Sequence, residues 1–186
     1  MRARVDSRAK KADIDPEKLL MGKVQGGVSV MVGIGAAYRG LTAPVFVERG
    51  VKINGDYYQG VLPNRYLPRM SRAYGSPSDF WLQEDGAPAH TKKSARAHFT
   101  HNFPNLVTNW PASSSDLNPP DYGLWSHWQE LVWAKKPKTP IELKCAIIDV
   151  CEKYPPQTRK KTIKSSKQRL QLCVGAKGGY FECEKN

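Results

Sequence analysis

The chain has 186 residues, enough for one domain with a single hydrophobic core and too few for two comfortable ones. Its apolar content of 40% and five tryptophans exclude a disordered chain, while 14 prolines and 15 glycines predict a loop-rich fold. Lys and Arg outnumber Asp and Glu by 29 to 17, a formal charge of +12, which makes nucleic acid the leading partner class without identifying a reaction.

Cys145, Cys151, Cys173 and Cys183 are widely spaced, with no C-x-x-C pair and no histidine pair at zinc-ligand spacing. Neither a zinc site nor a disulfide framework is indicated, and a reduced intracellular setting is expected. No apolar run approaches the roughly 18 residues of a membrane span, and no apolar stretch follows the basic start as a signal peptide requires. A soluble, non-secreted protein with no membrane partner is expected.

In chain order, residues 1–25 are polar and basic without a clear period, and read as an arm. An exposed tail and a DNA-contacting or import segment both fit it. Residues 28–32 and 44–47 are β-type runs on either side of the Arg39-Gly40 turn, which predicts an antiparallel hairpin. Asn54 can cap a helix whose Tyr57, Tyr58, Val61 and Leu62 share a face, until Pro63 interrupts it. Residues 63–79 read as irregular.

Residues 80–83 read as a short buried strand that runs into Glu84-Asp85-Gly86, followed by a helix over 91–99. Residues 106–110 read as the next strand and enter a Pro- and Ser-rich loop that ends at Asp121. Pro119 and Pro120 suit the start of a helix, because proline lacks the donor that the first turn leaves unused. That helix turns Leu124, Trp125, Trp128, Leu131 and Val132 toward the core. A further helix from about Pro140 carries Leu143, Ile147, Cys151 and Tyr154. A last one, after Pro155-Pro156, carries Ile163, Leu170 and Val174 before Gly175. Its outward face is read as basic, with Arg159, Lys160, Lys161, Lys164, Lys167 and Arg169 as either a solvated surface or a DNA-backbone contact. The order predicts an α/β fold, a mixed sheet flanked by helices.

Two carboxylates stand out by position. Asp85 ends a strand and Asp121 opens a helix after the next strand, so neighbouring strands can bring both to one sheet edge. Carboxylates converging there suit Mg²⁺, which prefers oxygen ligands. The plainer reading is open at this point: an Asp before Gly-Ala-Pro is often a turn former, and one beside Pro-Pro is often a helix cap.

The words around them narrow the choice. Residues 83–91, Gln-Glu-Asp-Gly-Ala-Pro-Ala-His-Thr, and 115–122, Ser-Asp-Leu-Asn-Pro-Pro-Asp-Tyr, resemble the two best-marked motifs of mariner-type transposases. The resemblance extends through residues 27–32, 38–40, 45–54 and 176–182, nearly the whole chain. It implies a ribonuclease H-like fold and a trio of acids that use Mg²⁺ or Mn²⁺ to cut DNA at element ends and join it to a target. By motif, Asp85 corresponds to the second acid and Asp121 to the third, with 35 residues between them. Asp116 is then a motif residue but not a ligand, and His90 a structural or supporting residue rather than a base.

The same resemblance puts the first acid on a strand upstream of the segment that residues 4–25 match. The first acid and its strand are therefore expected to be absent from this chain, together with the helix-turn-helix region that reads terminal repeats. Asp6, Asp13 and Asp15 are poor substitutes, since they lie in a polar segment. Gly33 replaces a tryptophan usual in the family, a change expected to loosen the core, and Ser113-Ser114-Ser115 replaces a stretch that carries Ser-Pro. Three functions remain: a metal-dependent DNA-cleaving and strand-transferring domain with impaired activity; an inactive remnant that binds nucleic acid non-specifically; and a module pairing with a second copy or an intact transposase. Any role in transposition implies the nucleus.

Overall fold

The computed structural model describes residues 28–84, 93–111 and 113–182. The basic arm over residues 1–25, Asp85, His90, Cys183 and the substitute acids Asp6, Asp13 and Asp15 lie outside the described residues.

The hairpin forms as expected, in shorter form. β1 (Met31–Gly33) pairs antiparallel with β2 (Val45–Val47), with Val32 opposite Phe46. Alternation along β2 buries Val45 and Val47 and leaves Phe46 half-buried on the other face, as a strand's twofold side-chain period requires. An isolated antiparallel bridge, Ala36 to Leu41, continues the hairpin toward its turn.

Asn54 caps α1 (Gly55–Val61), its Oδ1 accepting the Tyr57 N–H at 2.9 Å. Residues 63–79 correct the sequence reading, because the chain stays helical beyond Pro63. A π-helical segment (Leu62–Tyr66) takes in that proline and leads into α2 (Leu67–Tyr74), where Pro68 stands in the first turn and Gly75, at φ 102°, ends the helix. Proline was a start signal here, not a stop.

The two central strands expected at 80–83 and 106–110 reduce to one parallel bridge, Leu82 to Leu106. The Leu82 N–H donates to Asn105 O and the Val107 N–H to Leu82 O, each at 2.9 Å. Parallel and antiparallel pairings are therefore both present, over shorter stretches than the apolar runs suggested. α3 (Lys93–Asn102) follows the first of these segments.

Pro120 opens a π-helical turn (Pro120–Leu124) that continues as α4 (Trp125–Trp133). α5 (Pro140–Lys153) is capped by Thr139, whose Oγ1 accepts the Glu142 N–H at 3.2 Å, while Glu142 reaches back to the Lys138 N–H at 2.8 Å. The first bond satisfies the Glu142 N–H, which the first turn would otherwise leave orphaned, and the second ties down the N–H just before the cap. α6 (Pro156–Gly175) closes the domain.

Two apolar clusters hold these elements. In one, Leu124 and Val132 meet Leu143, Ala146, Ile147, Val150, Cys151 and Tyr154, and the hairpin packs on them through Val32, Ile34 and Phe46. The predicted inward faces of α4 and α5 are thus the faces that pack. In the other, Leu82, Phe99 and Phe103 gather Tyr66, Leu67, Met70, Phe80 and Leu106. The rings of Tyr74, Phe80, Phe103 and Phe99 follow one another at centroid spacings of 5.6, 6.0 and 6.3 Å, distances at which aromatic pairs attract beyond simple burial.

Gly33 lies where the hairpin meets Tyr66 of the second cluster. A Cβ on it would lie 2.0 Å from the Tyr66 hydroxyl and 2.8 Å from the ring. The place beside residue 33 is therefore filled by Tyr66, which corrects the expectation of a core loosened there. Burial pushes the Tyr66 hydroxyl up to about 12.

The C-terminal half of α6 departs from the predicted apolar face. Leu170 is 44% and Val174 77% exposed, so this stretch is helical without burying the side chains that suggested an amphipathic pattern. No described helix is long and apolar enough to cross a membrane.

Candidate active site and nucleic-acid face

Asp121 lies in the first turn of the π-helical segment, half-buried. Its N–H and that of Tyr122 both donate to Asn118 O, at 2.9 and 3.1 Å, so the backbone fixes where the turn begins. The turn is docked on α6. Tyr122 donates its hydroxyl to Thr162 O at 2.7 Å, and a Cβ on Gly123 would stand 2.7 Å from the Thr162 methyl, a close approach that a side chain there would disturb. Arg169 completes the clamp: its guanidinium lies 4.4 Å from the Tyr122 ring centroid, its Nε donates to Asp116 O, and it pairs with Glu182. Phe181 packs on the same guanidinium at 5.3 Å. The sequence reading set Arg169 on the outward basic face; the structure turns it inward onto the loop that carries Asp121.

Asn118 is buried, 9% exposed. Its Nδ2 donates to Asp121 Oδ2 at 2.9 Å, and its Oδ1 accepts from Gln83 Nε2, also at 2.9 Å. A hydrogen bond therefore joins the first motif word to the second across 35 residues. Gln83 stands two positions before Asp85 in sequence, and Asn118 three before Asp121. Among the described residues, Asp121 Oδ1 carries no hydrogen bond, and an ionised carboxylate with one bonded and one open oxygen has the chemistry a hard divalent cation takes. Among those residues no group of three His, Cys, Asp or Glu stands together as a metal cluster.

The basic face divides. Arg159 is 7% exposed and donates from Nε to Tyr38 O at 3.4 Å and from its terminal nitrogen to Arg39 O at 3.1 Å. That corrects its assignment to an outward DNA-binding surface, since its donors are committed to the hairpin turn. Lys160 is half-buried, with its ammonium 5.3 Å from the Tyr38 ring centroid, and Lys164 approaches the same ring at 5.6 Å. Lys161, Lys164 and Lys167 are exposed. Sequence reasoning quoted Gln83 and Asn118 within motif words but gave them no role. Nothing local in the sequence pairs them, since they stand 35 residues apart.

No family model matches the chain. The Tc3 transposase of Caenorhabditis elegans is 33% identical over 132 residues, 68% of this chain and 38% of that protein. The chain thus spans well under half the length of that curated relative. Among solved structures, the Mos1 transposase catalytic domain with raltegravir and Mn superposes with a TM-score of 0.68 at 23% identity, covering 82% of this chain and 78% of that one. A Mos1 paired-end complex with the left transposon end gives a TM-score of 0.70 at 20% identity over 98% of this chain and 52% of that one. These structural matches establish the fold, and the sequence match adds lineage. This chain belongs to the mariner-type transposases and has the ribonuclease H-like fold of the Mos1 catalytic domain.

Proposed function

We propose that this chain is a transposase-derived domain for divalent-metal-dependent cleavage and transfer of DNA strands, with Asp85 and Asp121 as metal ligands. The observation that carries the reading is the hydrogen bond from Gln83, the first residue of one motif word, to Asn118 in the other. Support comes from the likeness to Tc3 transposase and from solved structures of Mos1 with Mn, with Mg and with the left transposon end. When bound, Mg²⁺ or Mn²⁺ would activate the attacking oxygen and stabilise the leaving oxygen of a phosphodiester. The chain's own residues supply oxygen donors, a clamped turn that keeps Asp121 in place, and a positive surface that draws in the DNA backbone. DNA is then the partner, with a second copy or an intact transposase as a protein partner, and the nucleus is where the reaction would occur.

Nicking of DNA that needs Mn²⁺ and disappears in both Asp85→Ala and Asp121→Ala is the expected result. Metal-independent nicking, or nicking that survives either substitution, would sink this reading. A second reading, a catalytically inactive domain that binds nucleic acid without sequence preference, is favoured by exposed Lys161, Lys164 and Lys167 on one helix. Salt-sensitive DNA binding with no nicking would select it.

A further inference from the structure

We infer that Gln83 and Asn118 form an amide relay that positions Asp121, making Asn118 a positioning residue for the metal-binding carboxylate. The inference rests on the reading of Asp121 as a metal ligand.

Hydrogen-bond chemistry fixes the direction of the relay. An ionised carboxylate only accepts, so Asn118 must turn its amino group toward Asp121 Oδ2 and its carbonyl oxygen toward Gln83. That oxygen requires a donor, and Gln83 supplies it from Nε2. Each contact is 2.9 Å, and Asn118 is buried. The arrangement has one consistent polarity: donor from Gln83, donor from Asn118, acceptor at Asp121. With Oδ2 engaged by a neutral donor, the carboxylate is held in one rotamer and Oδ1 is presented as the oxygen for a cation. Because the Asn118 backbone oxygen also accepts from the Asp121 and Tyr122 N–H groups, one residue sets both the turn and the side chain it carries.

The polarity makes an unusual prediction. In Gln83→Glu the new carboxylate cannot donate, so it recruits the Asn118 amino group and turns the amide over. Asn118 Oδ1 then faces Asp121 Oδ2, acceptor against acceptor, and the rotamer is lost. In Gln83→Ala the Asn118 amide keeps its bond to Asp121. A purely structural role predicts that the truncation is the more damaging change, and simple electrostatics predicts that the added negative charge tightens cation binding. The relay predicts the reverse of both.

The test is Mn²⁺ titration of the full chain by calorimetry. The expected result is saturable binding that is lost in Asp121→Ala, weakened about tenfold in Gln83→Glu, and changed less than about threefold in Gln83→Ala. Binding by Gln83→Glu as tight as that of the unmodified chain overturns the relay and leaves the metal reading intact. Binding that survives in Asp121→Ala, or no saturable binding in the unmodified chain, overturns the metal reading and the relay with it. The far-ultraviolet circular dichroism of Gln83→Glu must match that of the unmodified chain. Should it not, Asn118→Ala, which deletes the donor, takes its place with the same tenfold loss expected and wild-type affinity as the overturning result.

Discussion

Arg159 donates to the main-chain oxygen of Arg39, 120 residues away in sequence, at 3.1 Å. The bond ties the N-terminal turn of α6 to the hairpin turn, and Tyr74 holds the same turn from α2 by donating to Gly40 O at 3.2 Å. The guanidinium is thus a strut between elements from opposite ends of the domain. Arg159→Ala leaves two carbonyls without their charged donor and is expected to cost about 2–4 kcal/mol in chemical denaturation. Arg159→Lys should recover only part of this, because an ammonium cannot span both oxygens with the planar fork of a guanidinium. A melt unchanged by either substitution would contradict the strut.

The parts of the fold that were legible in sequence are those set by short-range chemistry. The β-branched runs around Arg39-Gly40 gave the hairpin, Asn54 gave a cap, and the spacing of Leu143, Ile147, Cys151 and Tyr154 gave the inner face of α5. Pro63 misled because a proline's effect depends on where it falls in the helix: the π-helical segment takes it in, just as the first turn of α2 tolerates Pro68. The central strands were overread, since an apolar run does not reveal how many of its backbone groups find a partner, and here Leu82 and Leu106 alone form the bridge. At the candidate site, the words around the two acids pointed to Asp121, whereas the Gln83 to Asn118 bond, between residues 35 apart, was invisible to any local rule. Arg159 and Arg169 were misread as outward for the same reason: charge is visible in sequence, but a carbonyl waiting across the fold is not.

Residue 33 provides a test of packing. Since a Cβ there would fall 2.0 Å from the Tyr66 hydroxyl, Gly33→Ala should destabilise the domain by about 1–3 kcal/mol through overpacking. Tyr66→Leu removes the obstructing ring at its own cost. In the double variant the two losses should therefore be less than additive, measured as a cycle of denaturation midpoints. Full additivity would mean that the two side chains do not share the space.

The α5 cap predicts a pH dependence. The Lys138 N–H, followed by bonds from Thr139 and the Lys138 charge, holds the Glu142 carboxyl below its usual range. A carboxyl lowered in the folded state stabilises at neutral pH, and that contribution disappears as pH falls through the folded-state value. Thermal melts from pH 7 to pH 3 should accordingly lose part of their acid slope in Glu142→Gln. Thr139→Ala should cost about 1 kcal/mol, the usual worth of an N-cap, across the neutral range. An acid slope identical in Glu142→Gln and the unmodified chain would contradict the cap's electrostatic part.

The thiols should report burial. Cys151 lies in the first cluster, where desolvation pushes its thiol up to about 11, whereas Cys145, earlier on the same helix, is exposed. The thiolate is the nucleophile, so at pH 8 iodoacetamide should label Cys145 well before Cys151 in the native chain, and both after denaturation. Peptide mass spectrometry at successive times reads the order. Equal rates in the native chain would mean that α5 does not keep its buried face against α4.

Counterion release distinguishes the lysines of α6 from its arginines. Each phosphate neutralised steepens the dependence of log affinity on log salt by about 0.9 on duplex DNA. If exposed Lys161, Lys164 and Lys167 meet the backbone, changing all three to alanine should make that slope shallower by about 3. Arg159→Lys should leave the slope where it was, because the guanidinium it replaces is spent on Tyr38 and Arg39 oxygens rather than exposed. A triple variant with an unaltered slope would locate DNA elsewhere on the chain, and a slope that moved with Arg159→Lys would mean that the strut also reaches phosphate.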